Sequence, residues 1–152
     1  MSPRQRSDED GEGGLMANYY GRGRTNVFAV KDVQALRNAL ECHDFEVEER
    51  SPGCVAIFAA DADGLGDWSR WIDGDDGEGE EFFVPEMIAA HLQPDQVAVF
   101  VHAGSEKLRY VTGYSIAVDS DGRRIRLDLD EIIRVAAEVF AVPAGSISAP
   151  RY

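Results

Sequence analysis

The alternation of apolar and polar residues is clearest between positions 96 and 130. Residues 96–101 form a short apolar run, and residues 102–107 (HAGSEK) have the composition of a turn. Residues 108–119 are rich in side chains that favour β-structure. An Asp-Gly pair at 121–122 then predicts a hairpin, because glycine accepts the positive φ of a tight turn. The pattern therefore predicts a three-stranded antiparallel meander.

The third strand of this meander alternates with period two. Three aliphatic residues point one way and three charged residues point the other: Ile125, Leu127 and Leu129 against Arg124, Arg126 and Asp128. Such alternation is typical of a strand with one buried and one wetter face. We expect the aliphatic side chains to face the core.

Helical periodicity appears in three places. Asp32 is a candidate N-cap for a helix that ends near residue 42, and Pro85 fits the first turn of a helix over 85–92. A last helix is predicted before Pro143, with Asp128 and Glu131 at capping-box spacing. The residues expected on the three apolar faces are Val33, Leu36 and Leu40; Met87, Ile88 and Leu92; and Ile132, Ile133, Ala136, Val139 and Phe140.

The remaining apolar runs predict strands at 26–30, 45–49 and 54–60, with a short one at 82–84. The predicted order is β-α-β-β-(acidic loop)-α-β-β-β-α. This order favours an α+β fold, an antiparallel sheet of about five to six strands with two to three helices mainly on one face. We expect one domain over 17–143, a disordered tail at 1–16 and a loose tail at 144–152.

The net charge of the chain limits the kinds of partner that it is expected to bind. The net charge of −13 opposes binding of nucleic acid or an anionic membrane through a general basic surface, and favours a basic protein or nucleoprotein complex as partner. The chain has no membrane-length apolar run and no secretory signal, so a cytoplasmic location is expected. Arginine outnumbers lysine thirteen to two, so a GC-rich or high-salt source is an alternative explanation of the acidity.

Nine carboxylates and a single arginine, Arg70, lie between 61 and 81, which gives this acidic loop a local charge of −8. Five glycines predict an irregular path, and Trp68 and Trp71 are the candidate anchors, at least one of which we expect to be buried. The expected partner-binding residues are Asp61, Asp63, Asp67, Asp73, Asp75, Asp76, Glu78, Glu80 and Glu81, together with Glu86. The spacing does not match an EF-hand, because position 6 counted from Asp73 is Glu78 where glycine is required.

Other candidate chemistry is sparse. His43, His91 and His102 have no partners at metal-ligand spacing, and Cys42 and Cys54 are expected to be reduced thiols. We therefore expect no cofactor, metal or catalytic residue. Residues 17–26 hold one basic and aromatic patch, which would stack on a nucleic-acid strand or, as the simpler interpretation, cover the end of the sheet: Tyr19, Tyr20, Arg22 and Arg24.

Segments 104–122 (GSEKLRYVTGYSIAVDSDG), 23–32 (GRTNVFAVKD) and 85–92 (PEMIAAHL) resemble small, acidic, uncharacterised proteins of bacterial plasmids, prophages and integrative elements. The resemblance implies a mobile-element context. Such elements commonly encode acidic inhibitors of host defence nucleases, including anti-CRISPR and antirestriction proteins.

Three hypotheses follow. The first is an acidic inhibitor, a partial nucleic-acid mimic, that occupies the basic groove of a nucleic-acid-handling complex. The second is a non-catalytic regulatory or assembly domain that forms a homodimer through a sheet edge or helix face, its acidity serving only solubility or salt tolerance. The third is a small enzyme with a pocket near His102, using Glu106 with Tyr110 or Tyr114.

Overall fold

A computed structural model describes residues 19–60, 63–107 and 109–150. The strands are β1 (Tyr19–Thr25), β2 (Phe28–Ala29), β3 (Phe45–Ser51), β4 (Cys54–Ala59), β5 (Ser69–Asp73), β6 (Gly79–Phe83), β7 (Val97–Glu106), β8 (Tyr110–Asp119) and β9 (Arg124–Asp128). The helices are α1 (Val33–Leu40), α2 (Val84–Met87) and α3 (Glu131–Phe140), with short 3-10 turns at Glu41–His43, Ile88–His91 and Ala144–Ser146. The predictions for the tail at 1–16, for residues 151–152, for Asp61 and for Leu108 concern positions outside the described residues.

The fold is α+β, as predicted. A seven-stranded antiparallel sheet has the order β2-β4-β1-β7-β8-β9, with β3 also paired to β4, and β5 and β6 form a separate two-stranded sheet. The β7-β8-β9 meander is confirmed. The turn predicted over 102–107 is wrong, because β7 continues to Glu106 and pairs with β1 from Phe100 to Glu106.

The N-terminal part of the domain differs from the prediction. The first strand begins at Tyr19 rather than near residue 26, and β1 lies between β4 and β7. Its sequence alternates small and large residues, and Gly21 and Gly23 are buried. A Cβ atom on Gly21 would collide with the carbonyl oxygen of Leu65, and the Gly21 amide donates to the Gly64 carbonyl at 2.9 Å. Glycine therefore lets residues 64–66 approach the strand closely.

The core lies on one face of the large sheet. Helix α1 contributes Leu36 and Leu40, both fully buried, and the predicted N-cap is confirmed because the Asp32 carboxylate accepts from the Ala35 amide at 3.1 Å. The helix predicted over 85–92 is a single α-turn followed by a 3-10 turn. Its inward residues Ile88 and Leu92 are buried as expected.

The C-terminal part is oriented opposite to the prediction. Arg126 pairs with the buried Ile116, so the charged residues of β9 lie on the core face. The Arg126 guanidinium lies 4.2 Å from the ring centre of Tyr114, an interaction that stabilises this orientation. The aliphatic residues are instead exposed by 57% to 67%, namely Ile125, Leu127 and Leu129.

Helix α3 also departs from the prediction. None of its residues is buried, and its N-cap is Asp130, whose side chain makes no capping bond, so the capping box expected from Asp128 and Glu131 is wrong. Among the described residues, no helix is long and apolar enough to cross a membrane.

Candidate partner-binding surface

The acidic segment forms a hairpin rather than the irregular loop that its glycines suggested. Strands β5 and β6 pair in register from Ser69 and Phe83 to Asp73 and Gly79. Gly77 adopts φ +86° in the connecting turn, a value that glycine accepts without strain. Residues 69–73 and 79–83 therefore alternate between an inner face, with Arg70 and Phe82, and an outer face.

Trp68 attaches this hairpin to the core. The side chain is fully buried, so the expectation that at least one tryptophan is buried is confirmed. Its ring stacks on Phe45 at 5.6 Å between centroids and meets Phe100 edge-on at 4.9 Å. The indole N–H donates to the Val101 carbonyl at 3.2 Å, and the Trp68 carbonyl accepts from the Val84 amide at 3.0 Å. Trp68 thus connects both ends of the hairpin to the large sheet.

Arg70, the one cation of the hairpin, points inward. Its guanidinium lies 4.1 Å from the ring centre of Phe45, donates to the His43 carbonyl at 2.9 Å and pairs with Asp67 at 3.2 Å. The side chain is only 15% exposed. The hairpin therefore presents carboxylates to solvent with little cationic charge among them.

Trp71 lies on the outer face and is 67% exposed. Its indole covers Gly79, where a Cβ atom would collide with the ring, and its N–H donates to the Asp73 carboxylate at 3.1 Å. Glu81 pairs across from Trp71 and accepts from the Ser69 hydroxyl at 2.7 Å. A flat aromatic surface with carboxylates on either side suits a guanidinium group, which stacks on indole and forms paired hydrogen bonds with carboxylates.

The structure groups most, but not all, of the carboxylates predicted to bind a partner. Six of them lie on the hairpin or its turn, namely Asp73, Asp75, Asp76, Glu78, Glu80 and Glu81. Asp67 is drawn towards Arg70, and Asp63 precedes the hairpin. Glu86 belongs to α2, which directly follows β6, and its carboxylate lies 4.0 Å from the Arg124 guanidinium of β9 rather than on the hairpin.

His102 is buried and forms hydrogen bonds with two other parts of the chain. It was expected at a turn, but it lies within β7 and is 4% exposed. Its Nδ1 is 2.9 Å from the Gly66 carbonyl, which can only accept, so Nδ1 carries the proton. The Tyr19 hydroxyl then donates to Nε2 at 2.5 Å. The imidazole thus links Gly66 to β1 and β7.

The phenols around His102 are kept protonated. Burial raises the pKa of Tyr19, and the neighbouring Tyr110 and Asp67 raise it further. Burial is also the main cause of the raised pKa of Tyr114, whose ring lies 5.2 Å from that of His102. A phenol with a raised pKa is a hydrogen-bond donor and a poor nucleophile at neutral pH. The cluster joins β1, β7 and β8 through the contacts of Tyr19, His102 and Tyr114.

The sequence did not predict the contact between Tyr19 and His102, because the first strand was expected to begin near residue 26. The available signal was the alternation in YYGRGRT, where glycine at every second position indicates close approach of another backbone.

Both cysteines are free, Cys42 exposed and Cys54 half-buried. Within 19–60, 63–107 and 109–150, no three His, Cys, Asp or Glu side chains are grouped closely enough to hold a metal ion.

Comparison with known proteins adds no assignment: no family model, no curated protein and no solved structure matches the chain.

Proposed function

We propose that the chain is a cytoplasmic binding protein that inserts the acidic β5-β6 hairpin into the basic groove of a nucleic-acid-handling protein and inhibits it. The observation that carries this proposal is Trp71, a large aromatic side chain that the hairpin holds open to solvent between Asp73 and Glu81. Tryptophan and arginine are the residues most enriched among those that dominate binding energy at protein interfaces.

The charge density of the hairpin supports a nucleic-acid groove as the target. Two five-residue strands extend over roughly 17 Å at about 3.3 Å per residue. The hairpin carries six carboxylates and Arg70, so its net charge is −5. That is about one negative charge for every 3 Å, close to the spacing of about 3.4 Å along one strand of DNA and about half the density of a duplex. The hairpin is therefore a better electrostatic match for a groove that holds a single strand.

Rigid attachment also supports the proposal. A mobile acidic loop would lose conformational entropy on binding, at a cost of about 1 to 2 kcal/mol for each residue that becomes ordered. Pairing with β6 and burial of Trp68 fix the hairpin before the partner arrives. Preorganisation of this kind raises affinity without any additional contact.

The proposal is tested by displacement of labelled single-stranded DNA from a panel of defence nucleases and other basic nucleic-acid-binding proteins. We expect the wild-type chain to displace DNA from at least one member of the panel. Trp71→Ala should weaken that displacement by about 2 kcal/mol or more, the range of interface hot spots. The double variant Asp73→Asn, Glu81→Gln should weaken it and reduce its dependence on salt.

A matched control removes the same two charges elsewhere, at Asp95→Asn and Asp121→Asn, both in exposed turns outside the hairpin. This control should retain displacement. Equal losses in both double variants would show that only total charge matters, and the hairpin proposal would then be wrong. Failure of the wild-type chain to displace DNA from any basic protein would contradict the inhibitor function itself.

A further inference from the structure

An exposed apolar surface lies in the C-terminal part of the chain. One part of it is the sheet face opposite the core, where the registers β7 to β8 to β9 place Val101, Ser115 and Leu127 in one row and Val99, Ala117 and Ile125 in the next. Its most exposed side chains are 43% to 67% accessible, namely Val97, Val101, Ile125, Leu127 and Leu129. Within the described residues, β9 is the terminal strand of the sheet order.

The second part is helix α3. Its apolar residues recur at intervals of three and four, which places them on one side of the helix: Ile132, Val135, Ala136, Val139 and Phe140. Val139 and Phe140 are 70% and 71% exposed. A ten-residue helix is only marginally stable without packing, so an amphipathic helix with no buried residue lacks the contacts that normally stabilise it.

We propose that these two parts form a homodimer interface, in which α3 of each copy packs across the exposed β7-β8-β9 face of the other. The β9-α3 surface consists of the five exposed residues named above, of which Leu129 directly follows β9, and the apolar stripe of α3. The apolar side of a helix packs well on the apolar face of a sheet. In a dimer with two-fold symmetry the same helix-on-sheet contact occurs twice, so the helix and the sheet face of both copies become buried.

The area is sufficient for a stable dimer. Large aliphatic and aromatic residues expose on the order of 150 to 200 Å² when fully accessible, so the exposed fractions at the β9-α3 surface amount to roughly 800 to 1,000 Å² per copy. A standard interface buries about 800 Å² on each partner. Exposed apolar patches on monomers seldom exceed a few hundred Å².

The charge distribution favours a second copy at this location. The whole chain carries −13, which opposes self-association in general, but residues 124–140 contain three arginines and four carboxylates and carry only −1. Arg126 pairs with Asp128 at 3.0 Å, and Arg134 pairs with Glu131 and Glu138 at 3.2 Å each. Two copies can therefore meet here with little repulsion.

The N-terminal segment is a less suitable occupant. Residues 1–18 contain only three large apolar side chains, Met1, Leu15 and Met16, which are too few to cover a surface of this size. Their composition is otherwise dominated by polar and charged residues and glycine.

Sedimentation velocity of the full chain, at concentrations from about 1 μM upward, tests the proposal. We expect a dimer for the wild type. Leu127→Glu and Val139→Glu each place a carboxylate in the interface and should raise the dissociation constant by about tenfold or more. Leu65→Glu is the matched control, since Leu65 is exposed but lies before the acidic hairpin, and this variant should remain dimeric.

A crosslinking experiment tests the same interface without the glutamate variants, so its result does not depend on whether those variants fold. In chains that also carry Cys42→Ser and Cys54→Ser, a mixture of Leu127→Cys and Val139→Cys should form a disulfide-linked heterodimer on mild oxidation with diamide, because the proposal places α3 of one copy against β9 of the other. A wild-type chain that stays monomeric would overturn the proposal and leave the surface to residues 1–18 or to a different protein. A dimer that survives both glutamate variants and forms no mixed crosslink would overturn it as well.

Discussion

Replacement of Trp68 by alanine tests whether this side chain holds the acidic hairpin on the core. The indole is fully buried between Phe45 and Phe100 and donates a hydrogen bond to Val101. Removing it deletes roughly 200 Å² of buried apolar area, which at about 25 cal/mol per Å² corresponds to about 5 kcal/mol. Measured costs for aromatic-to-alanine changes in cores are about 3 to 5 kcal/mol, and we expect a loss in this range.

The matched control is Trp71→Ala, three residues along the chain. Trp71 is 67% exposed, and its main contacts are with Gly79 and Asp73, so its removal should change the free energy of unfolding by about 0.5 kcal/mol or less. A domain of this size has a total stability of about 5 to 15 kcal/mol. Trp68→Ala should therefore reduce stability by a large fraction, and Trp71→Ala should leave it nearly unchanged.

Urea denaturation followed by far-ultraviolet circular dichroism measures both variants. Because the wild-type chain contains only these two tryptophans, each variant also leaves a single indole whose fluorescence reports one environment. In thermal unfolding followed by the same circular dichroism signal, Trp68→Ala should lower the melting temperature by roughly 10 to 15 °C. Similar losses in the two variants, or no loss in Trp68→Ala, would refute the assignment of Trp68 as the attachment point.

Three further predictions concern other parts of the fold. Asp32→Ala should cost about 1 kcal/mol in urea denaturation, because the Ala35 amide loses its cap at the start of α1. Tyr19→Phe should cost about 1 to 3 kcal/mol, since Nε2 of the buried His102 is left without a donor, and Tyr20→Phe is the control at an exposed ring. Burial, with a smaller contribution from the Lys31 charge, lowers the pKa of His91. The folded state therefore resists protonation, and stability should decrease as the pH falls through and below about 6.5, by less in His91→Gln.

The parts of the fold that the sequence predicted are those with strong local signals. The Asp-Gly pair and the β-forming segments predicted the β7-β8-β9 meander, and Asp32 predicted the start of α1. In each case the responsible interaction is between residues close in sequence or in adjacent strands. The α+β class followed from the order of these elements.

The errors arose where tertiary contacts decide the conformation. The glycines of the acidic segment suggested an irregular loop, but Gly79 is a strand position that leaves room for the Trp71 ring. The alternation in β9 correctly indicated a strand, but it could not reveal which face is buried, because Arg126 stacks on Tyr114 at the edge of the core face. His102 appeared to lie in a turn because its partner Tyr19 is 83 residues away in sequence.

The proposed binding surface was predictable only in part. Composition identified the acidic segment, and six of the ten predicted carboxylates lie together on the hairpin. The different roles of Trp68 and Trp71 depend on strand pairing and could not be read from their similar sequence surroundings.

The most direct test of the account is tryptophan quenching in two single-tryptophan chains, Trp68→Phe and Trp71→Phe, with and without an arginine-rich peptide. The central claim is that Trp71 receives a cationic partner while Trp68 remains in the core. Acrylamide should quench Trp71 readily and Trp68 weakly. The arginine-rich peptide should shield Trp71 alone, and a lysine-rich peptide of equal charge should shield it less, because guanidinium stacks on indole more effectively than ammonium. Equal protection of the two indoles without peptide, or a peptide that binds without altering Trp71, would contradict the account.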